Sequence, residues 1–275
     1  MKNLIQRIIN RIARNQSVTL SEEQVTYLEA VINNISFNQC SDIHRKNLNE
    51  ISVSDFGDQS SVQSAAKILK SEGIVVIPDF FDSDKCDEVK SHLEHHLVNK
   101  DIKNTPAEED VELERLYIHK SGSKFTSYKE RQNFPKAIVD VRKGKDSGMI
   151  DVFNVDLAYP DVMRDLRNTF EDQGLLELIH EAGYTQVRPS NLNVYINKDI
   201  QHTRGFHIDS LGPNLKGFIY LTDVETMGKG PYCYVRQTHK DDNPARSLNN
   251  FLSRASKRTA TDAPFVDPNL VTPVL

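Results

Sequence analysis

A chain of 275 residues is long enough for one large domain, or a core domain with an extension, and can bury a substantial apolar core. Its 34 basic against 39 acidic residues give a net charge of −5, and no segment interleaves Lys and Arg with aromatics, which argues against nucleic acid as a partner. Cys40, Cys86 and Cys233 are three in number and lack CxxC spacing, so neither a disulfide framework nor a zinc knuckle is expected and a cytoplasmic location fits; no apolar run approaches the ~20 residues of a membrane span.

The opening MKNLIQRIINRIARNQS sets Leu4, Ile5, Ile8, Ile9 and Ile12 at helical spacing among Lys2, Arg7, Arg11 and Arg14. A helix packed on the body through that stripe is the plain reading; a transit peptide or membrane-surface helix is the other. Residues 1–60 read as a helical extension ending in SVSDFGDQSS, a linker by its Ser, Asp and Gly content, and residues 61–275 as the main domain. That domain begins as a helix stopped by Gly73, a β-branched strand Ile74 to Ile77, and a second helix introduced by DSDKCDE. Residues 101–148 are charged and weakly periodic, which suits long loops with short strands near RLYIHKS. GMIDVFNVD reads as a strand, and the next helix runs from Pro160 to Gly183 with an interruption near Gly174. Beyond residue 190, NLNVYIN, RGFHID, KGFIYLTDV and PYCYVRQ are short strands separated by Gly, Pro, Asn or Asp, the texture of a sandwich or small barrel. In the first of these, Asn191, Asn193, Tyr195 and Asn197 share one face and Leu192, Val194 and Ile196 the other. That polar face either meets solvent or lines a ligand cavity.

The chemistry concentrates in RGFHIDSLGP. Residues two apart on a strand project to one side, so His207 and Asp209 present an imidazole nitrogen and a carboxylate to one point. Such a pair supplies two ligands of the 2-His-1-carboxylate triad that leaves open positions on non-haem Fe(II). An isolated HxD has a bland alternative, two polar residues on the wet face of a strand.

The surrounding segments add a family resemblance. ILKSEGIVVIPDFFDSDKCDEVKSHLE, FHID and GFIYLTDVETMGKGPYCYVRQTHK, in that order within residues 63–275, resemble the phytanoyl-CoA dioxygenase family of Fe(II)/2-oxoglutarate-dependent oxygenases. Gln237-Thr238 stands where that family usually has Gly-Ser, and Lys229 precedes Gly230. The resemblance implies an α+β fold with a mainly β core, a double-stranded β-helix (jelly-roll) barrel with flanking helices. It implies Fe(II) held by His207 and Asp209, 2-oxoglutarate and O2 as co-substrates, and hydroxylation of a small-molecule substrate. It places Tyr220 near the 2-oxoglutarate pocket; Asn193 and Tyr195 are further candidate contacts if the polar face of their strand turns inward. It also implies a second ligating histidine and a carboxylate-pairing arginine on later strands, and neither follows DPNLVTPVL, so the domain reads as C-terminally incomplete, lacking its last strands. The alternative is a non-catalytic jelly-roll binding or scaffold protein.

Other histidines carry weaker readings. His239 is one candidate for the missing ligand, although it sits beside Lys240, Asp241 and Asp242 at the end of its strand. His92, His95 and His96 in SHLEHH match neither HExxH nor HxxEH because Glu94 is misplaced, so a solvated helix face is favoured over a zinc site. Gly228 and Gly230 suit a hairpin turn rather than a nucleotide loop, and Cys233 a core thiol.

Overall fold

The computed structural model describes residues 42–120, 128–144, 147–185, 187, 190–200, 205–209, 214–240, 243, 246, 248–249, 262–263, 266 and 270–275. The basic stripe at the N-terminus and Cys40 lie outside them. In chain order the elements are α1 (Asp42–Ile51), α2 (Gln59–Glu72), α3 (Ser83–His92), a π-helical segment (Leu93–Ile102), β1 (Val111–Glu112), β2 (Leu116–His119), α4 (Tyr128–Gln132), β3 (Ala137–Val141), β4 (Met149–Phe153), α5 (Val155–Ala158), α6 (Pro160–Phe170), α7 (Gln173–Glu181), β5 (Val194–Asn197), a 3-10 turn (Met227–Lys229), β6 (Cys233–Val235) and β7 (Val271–Pro273). The fold is mixed α+β, and no closed barrel forms among the described residues. The chain divides into two compact units, one made of Asp79–Arg204 and Gly217–Asp223, the other of the described residues up to Pro78, Gly205–Lys216 and those from Val224 onward.

The first unit is built on a five-stranded sheet in the order β1-β2-β3-β4-β5. β2 and β3 run parallel while the other neighbours are antiparallel, so the sheet is mixed. Strand alternation divides its side chains by face. Leu116, Ile118, Ala137, Val139, Val152 and Val194 turn to one side, where they join Leu93 and Leu97 of the π-helical segment, Val155 of α5 and Met163 and Leu166 of α6 in a buried core. The opposite face carries a row in register, His119 beside Asp140, Asp140 beside Asp151, and Asp151 beside Tyr195. α3 opens at Asp82, whose carboxylate accepts the Asp84 and Lys85 N–H groups at 2.8 and 3.1 Å. Asp172 caps α7 in the same way through Gly174 and Leu175, which explains the interruption expected near Gly174.

Several expected strands are corrected. Ala137–Val141, inside a stretch expected to be mostly loop, is the central strand β3, because Ala137, Val139 and Val141 face the core while Lys136, Arg142 and Lys143 give the flanks a loop-like charge. KGFIYLTDV has no ladder partner among the described residues. It still alternates, with Ile219 and Leu221 packed on the core and Phe218 and Tyr220 exposed, so burial alone produced the period-two pattern. Among the described residues Ile74 to Ile77 makes the single bridge Val76 to Ser52, and the described part of RGFHID the single bridge His207 to Asp262.

In the second unit α2 begins in a capping box between Asp58 and Ser61 and ends at Gly73, whose φ of 80° is the left-handed C-cap expected of glycine and whose N–H donates to Leu69 O at 2.9 Å. β6 and β7 pair antiparallel, and Val235, Val266 and Val271 pack with Phe206, Cys233, Ala263 and Leu270. Just past β6, Arg236 donates to Glu72 at 2.8 Å and Glu50 at 2.7 Å, tying the strand to the ends of α2 and α1. No helix among the described residues is long and apolar enough to cross a membrane.

Candidate functional site

His207 and Asp209 stand in the second unit, on a short extended segment held by its bridge to Asp262 and by the Ala263 N–H donating to Phe206 O at 2.7 Å. The extended backbone turns both side chains the same way, and His207 Nε2 lies 3.3 Å from Asp209 Oδ1. His207 Nδ1 lies 2.8 Å from Gly205 O. A carbonyl oxygen only accepts, so Nδ1 carries a proton and Nε2 is the atom turned to Asp209. Nε2 then has two states. As the second N–H of an imidazolium it donates to the carboxylate; as a lone pair it faces carboxylate lone pairs, an arrangement that calls for a cation between them.

The spacing suits that cation. Two ligands each ~2.1 Å from a metal and at right angles to each other lie about 3 Å apart. The Nδ1–H bond to a backbone carbonyl is the kind of contact that orients a ligating imidazole. Asp209 already has a second partner, since Lys216 Nζ donates to Oδ2. The His207 hydrogen bond, and after it Lys216, hold the Asp209 carboxyl well below the usual carboxylate range, against the opposing effect of partial burial. Side-chain exposures of 30% for His207 and 50% for Asp209 leave both within reach of solvent. Among the described residues no three His, Cys, Asp or Glu side chains are grouped to hold a metal, so His207 and Asp209 form a pair without a third protein ligand there.

His239 does not fill that position. Its Nε2 lies 3.2 Å from the Lys70 carbonyl near the end of α2, and its ring packs against Gly73. His92, His95 and His96 do gather. The His92 and His96 ring centroids are 4.4 Å apart, His95 and His96 4.8 Å, and Tyr159 meets His92 edge-on at 4.9 Å. The helix changes from α to π directly after His92, and His92 Nε2 is buried with no hydrogen-bond partner among the described residues. The expected solvated face therefore holds for His95 alone, with the other two half-buried.

Asn193, Tyr195 and Tyr220 belong to the first unit. Asn193 lines a cavity of about 10 Å³, room for roughly one water, together with Arg131, Gln132, Phe153, Asn154 and Asn191. Its Oδ1 accepts the Asn154 N–H at 3.2 Å. Tyr195 and Tyr220 are exposed, and the Tyr220 carbonyl accepts a weak bond from Cys86 Sγ at 3.5 Å. Neither tyrosine lines the cavity.

The polar face that holds Asn193 and Tyr195 contains ionisable groups missed by sequence reasoning. Asp140 is completely buried and Asp151 nearly so, with Arg142 Nε 3.1 Å from Asp151 and 3.8 Å from Asp140. Arg131 lies over the Phe153 ring at 4.2 Å from its centroid. Burial pushes the Asp151 carboxyl up, against the pull of Arg142, and burial pulls Arg131 below its ordinary value. The clue was available, because aspartate is depleted in strands and AIVDV and MIDVF each place one in mid-strand.

Comparison with known proteins finds no match to a family model, to a curated protein or to a solved structure.

Proposed function

We propose that the chain is an Fe(II)/2-oxoglutarate-dependent dioxygenase of the phytanoyl-CoA dioxygenase-like type, built on a jelly-roll body and hydroxylating a small organic substrate in the cytoplasm. The observation that carries this reading is the His207–Asp209 pair, with 3.3 Å between Nε2 and Oδ1 and with Nδ1 at 2.8 Å from a backbone carbonyl. The bond to Gly205 sets the tautomer and aims Nε2; the extended backbone delivers the carboxylate to the same side. His207 and Asp209 would hold the iron, which when bound supplies the oxidising chemistry of O2 and 2-oxoglutarate for attack on an unactivated C–H bond. Asn193, Tyr195 and Tyr220, expected to contact 2-oxoglutarate, lie in the other unit, and the proposal does not depend on them.

A non-catalytic binding or scaffold protein is the second reading, favoured by the Lys216 ion pair that already satisfies Asp209 and by the absence of a third ligand among the described residues. Anaerobic Fe(II) binding and the conversion of 2-oxoglutarate to succinate separate the two. The oxygenase binds Fe(II) and forms succinate, and His207→Ala loses both. A chain that forms no succinate, and whose metal content is the same with and without His207, is the binding protein.

A further inference from the structure

We propose that Lys216 is an internal cation that a divalent metal must displace from Asp209, so that loading of the His207–Asp209 pair is an exchange of one cation for another within the chain. The inference rests on the metal reading of that pair and adds a residue that sets its affinity. Both oxygens of Asp209 are engaged, Oδ1 facing His207 Nε2 at 3.3 Å and Oδ2 accepting from Lys216 Nζ. Among the described residues, His207 and Lys216 are the side chains that hold this carboxyl down. A metal ion bonded to Asp209 brings two positive charges to within a few ångströms of the ammonium, and like charges at that range repel even where water screens them.

Exposure makes the exchange feasible. The Lys216 side chain is 34% exposed and that of Asp209 50%, so the ammonium can withdraw into water as a hydrated metal approaches. A fully buried pair would not trade partners so readily, because breaking it strands a charge in a dry interior. Lysine suits this role better than arginine, being a point charge on a flexible stem without the planar two-point grip that guanidinium has on a carboxylate. Lys216 and Asp209 belong to the same compact unit, so the pairing is internal to one body.

The test measures Co(II) binding to the full chain by titration calorimetry, comparing wild type with Lys216→Met, Lys216→Arg and His207→Ala. Removing the competing charge is expected to tighten Co(II) binding about tenfold, the order of a like-charge repulsion at a few ångströms under water screening. Lys216→Arg keeps the charge and binds no more tightly than wild type, and His207→Ala loses binding. Equal or weaker binding by Lys216→Met overturns the exchange while leaving the metal reading intact. Absence of His207-dependent binding in every chain overturns both. Where Lys216→Met does not fold, Lys216→Gln replaces it. In the wild-type chain the nitrogen resonance of the Lys216 ammonium must move in step with occupancy by diamagnetic Zn(II), and a resonance that stays fixed at saturation also overturns the exchange.

Discussion

At Gly73 the chain leaves α2 with φ at 80°, and a Cβ added there would collide with the His239 imidazole and the Tyr234 hydroxyl. Gly73→Ala therefore meets two separate penalties. The left-handed backbone costs an L-residue about 1–2 kcal/mol, and the His239 ring must also leave its place against α2. Urea denaturation should show a loss of at least that size. At Arg142 the expected loss is larger, since it stands between two buried carboxylates at 3.1 and 3.8 Å. Arg142→Met should cost about 3 kcal/mol at pH 7, the usual result of leaving a buried charge without its counter-ion. Burial already raises the folded-state Asp151 carboxyl above its ordinary value, so in this variant the native state takes up a proton more readily than the unfolded chain. The defect should shrink as pH falls toward 5, read as converging melting curves of variant and wild type. Gly73 was legible as a helix stop because left-handed C-caps are written locally. The Arg142 cluster was not, because the register that sets Asp140 beside Asp151 joins strands whose pairing no local pattern states.

Elements with local punctuation were legible. Pro160 and Gly183 bracket α6 and α7 in the sequence as they do in the structure, with the expected interruption near Gly174 falling at the Asp172 cap, since capping and glycine stops depend on a few neighbouring residues. β3 and the segment after Lys216 were misjudged for opposite reasons. One hides a buried strand in charged flanks, and the other shows strand periodicity without a partner strand among the described residues. The π-helical segment after His92 left no trace in composition, and the histidines at its start bear on a titration. Burial first, then the His96 and His95 rings, hold the His92 imidazole below its ordinary value. Glu88 pulls the other way, and Tyr159, the residue between α5 and α6, packs on the ring. The unfolded chain therefore protonates His92 at a higher pH than the native chain does. Stability is complete above about 6.5, the ordinary histidine value, and declines as pH falls below it toward the depressed folded value. Thermal melts between pH 7 and 5 should show this decline, and His96→Gln should make it shallower by removing one repelling neighbour. An unchanged slope in His96→Gln would mean that the rings do not share charge.

At the scale of the whole molecule, composition marks changes of texture along the chain, whereas packing gathers segments from distant positions. Gly217–Asp223 joins the sheet-bearing unit through Ile219 and Leu221, while Gly205–Lys216, immediately before it, joins the other. The candidate pair stood out in the sequence because HxD needs only two residues of one extended stretch. Its partner Lys216 did not, because no local pattern pairs an aspartate with a lysine seven residues further on. Locating His207 and Asp209 within one unit has a thermodynamic consequence. A metal that binds only the folded form stabilises it by RT ln(1 + [L]/Kd), about 2.7 kcal/mol at a hundredfold excess over Kd. That stabilisation must reach the unit that holds the ligands. Amide exchange at Leu69 of α2 and Val235 of β6, both buried there, should slow by up to about a hundredfold in saturating Co(II) if those amides exchange through unfolding of that unit. The same amides in His207→Ala should exchange at one rate with and without metal. Slowing that persists without His207 would place the binding site elsewhere in the chain.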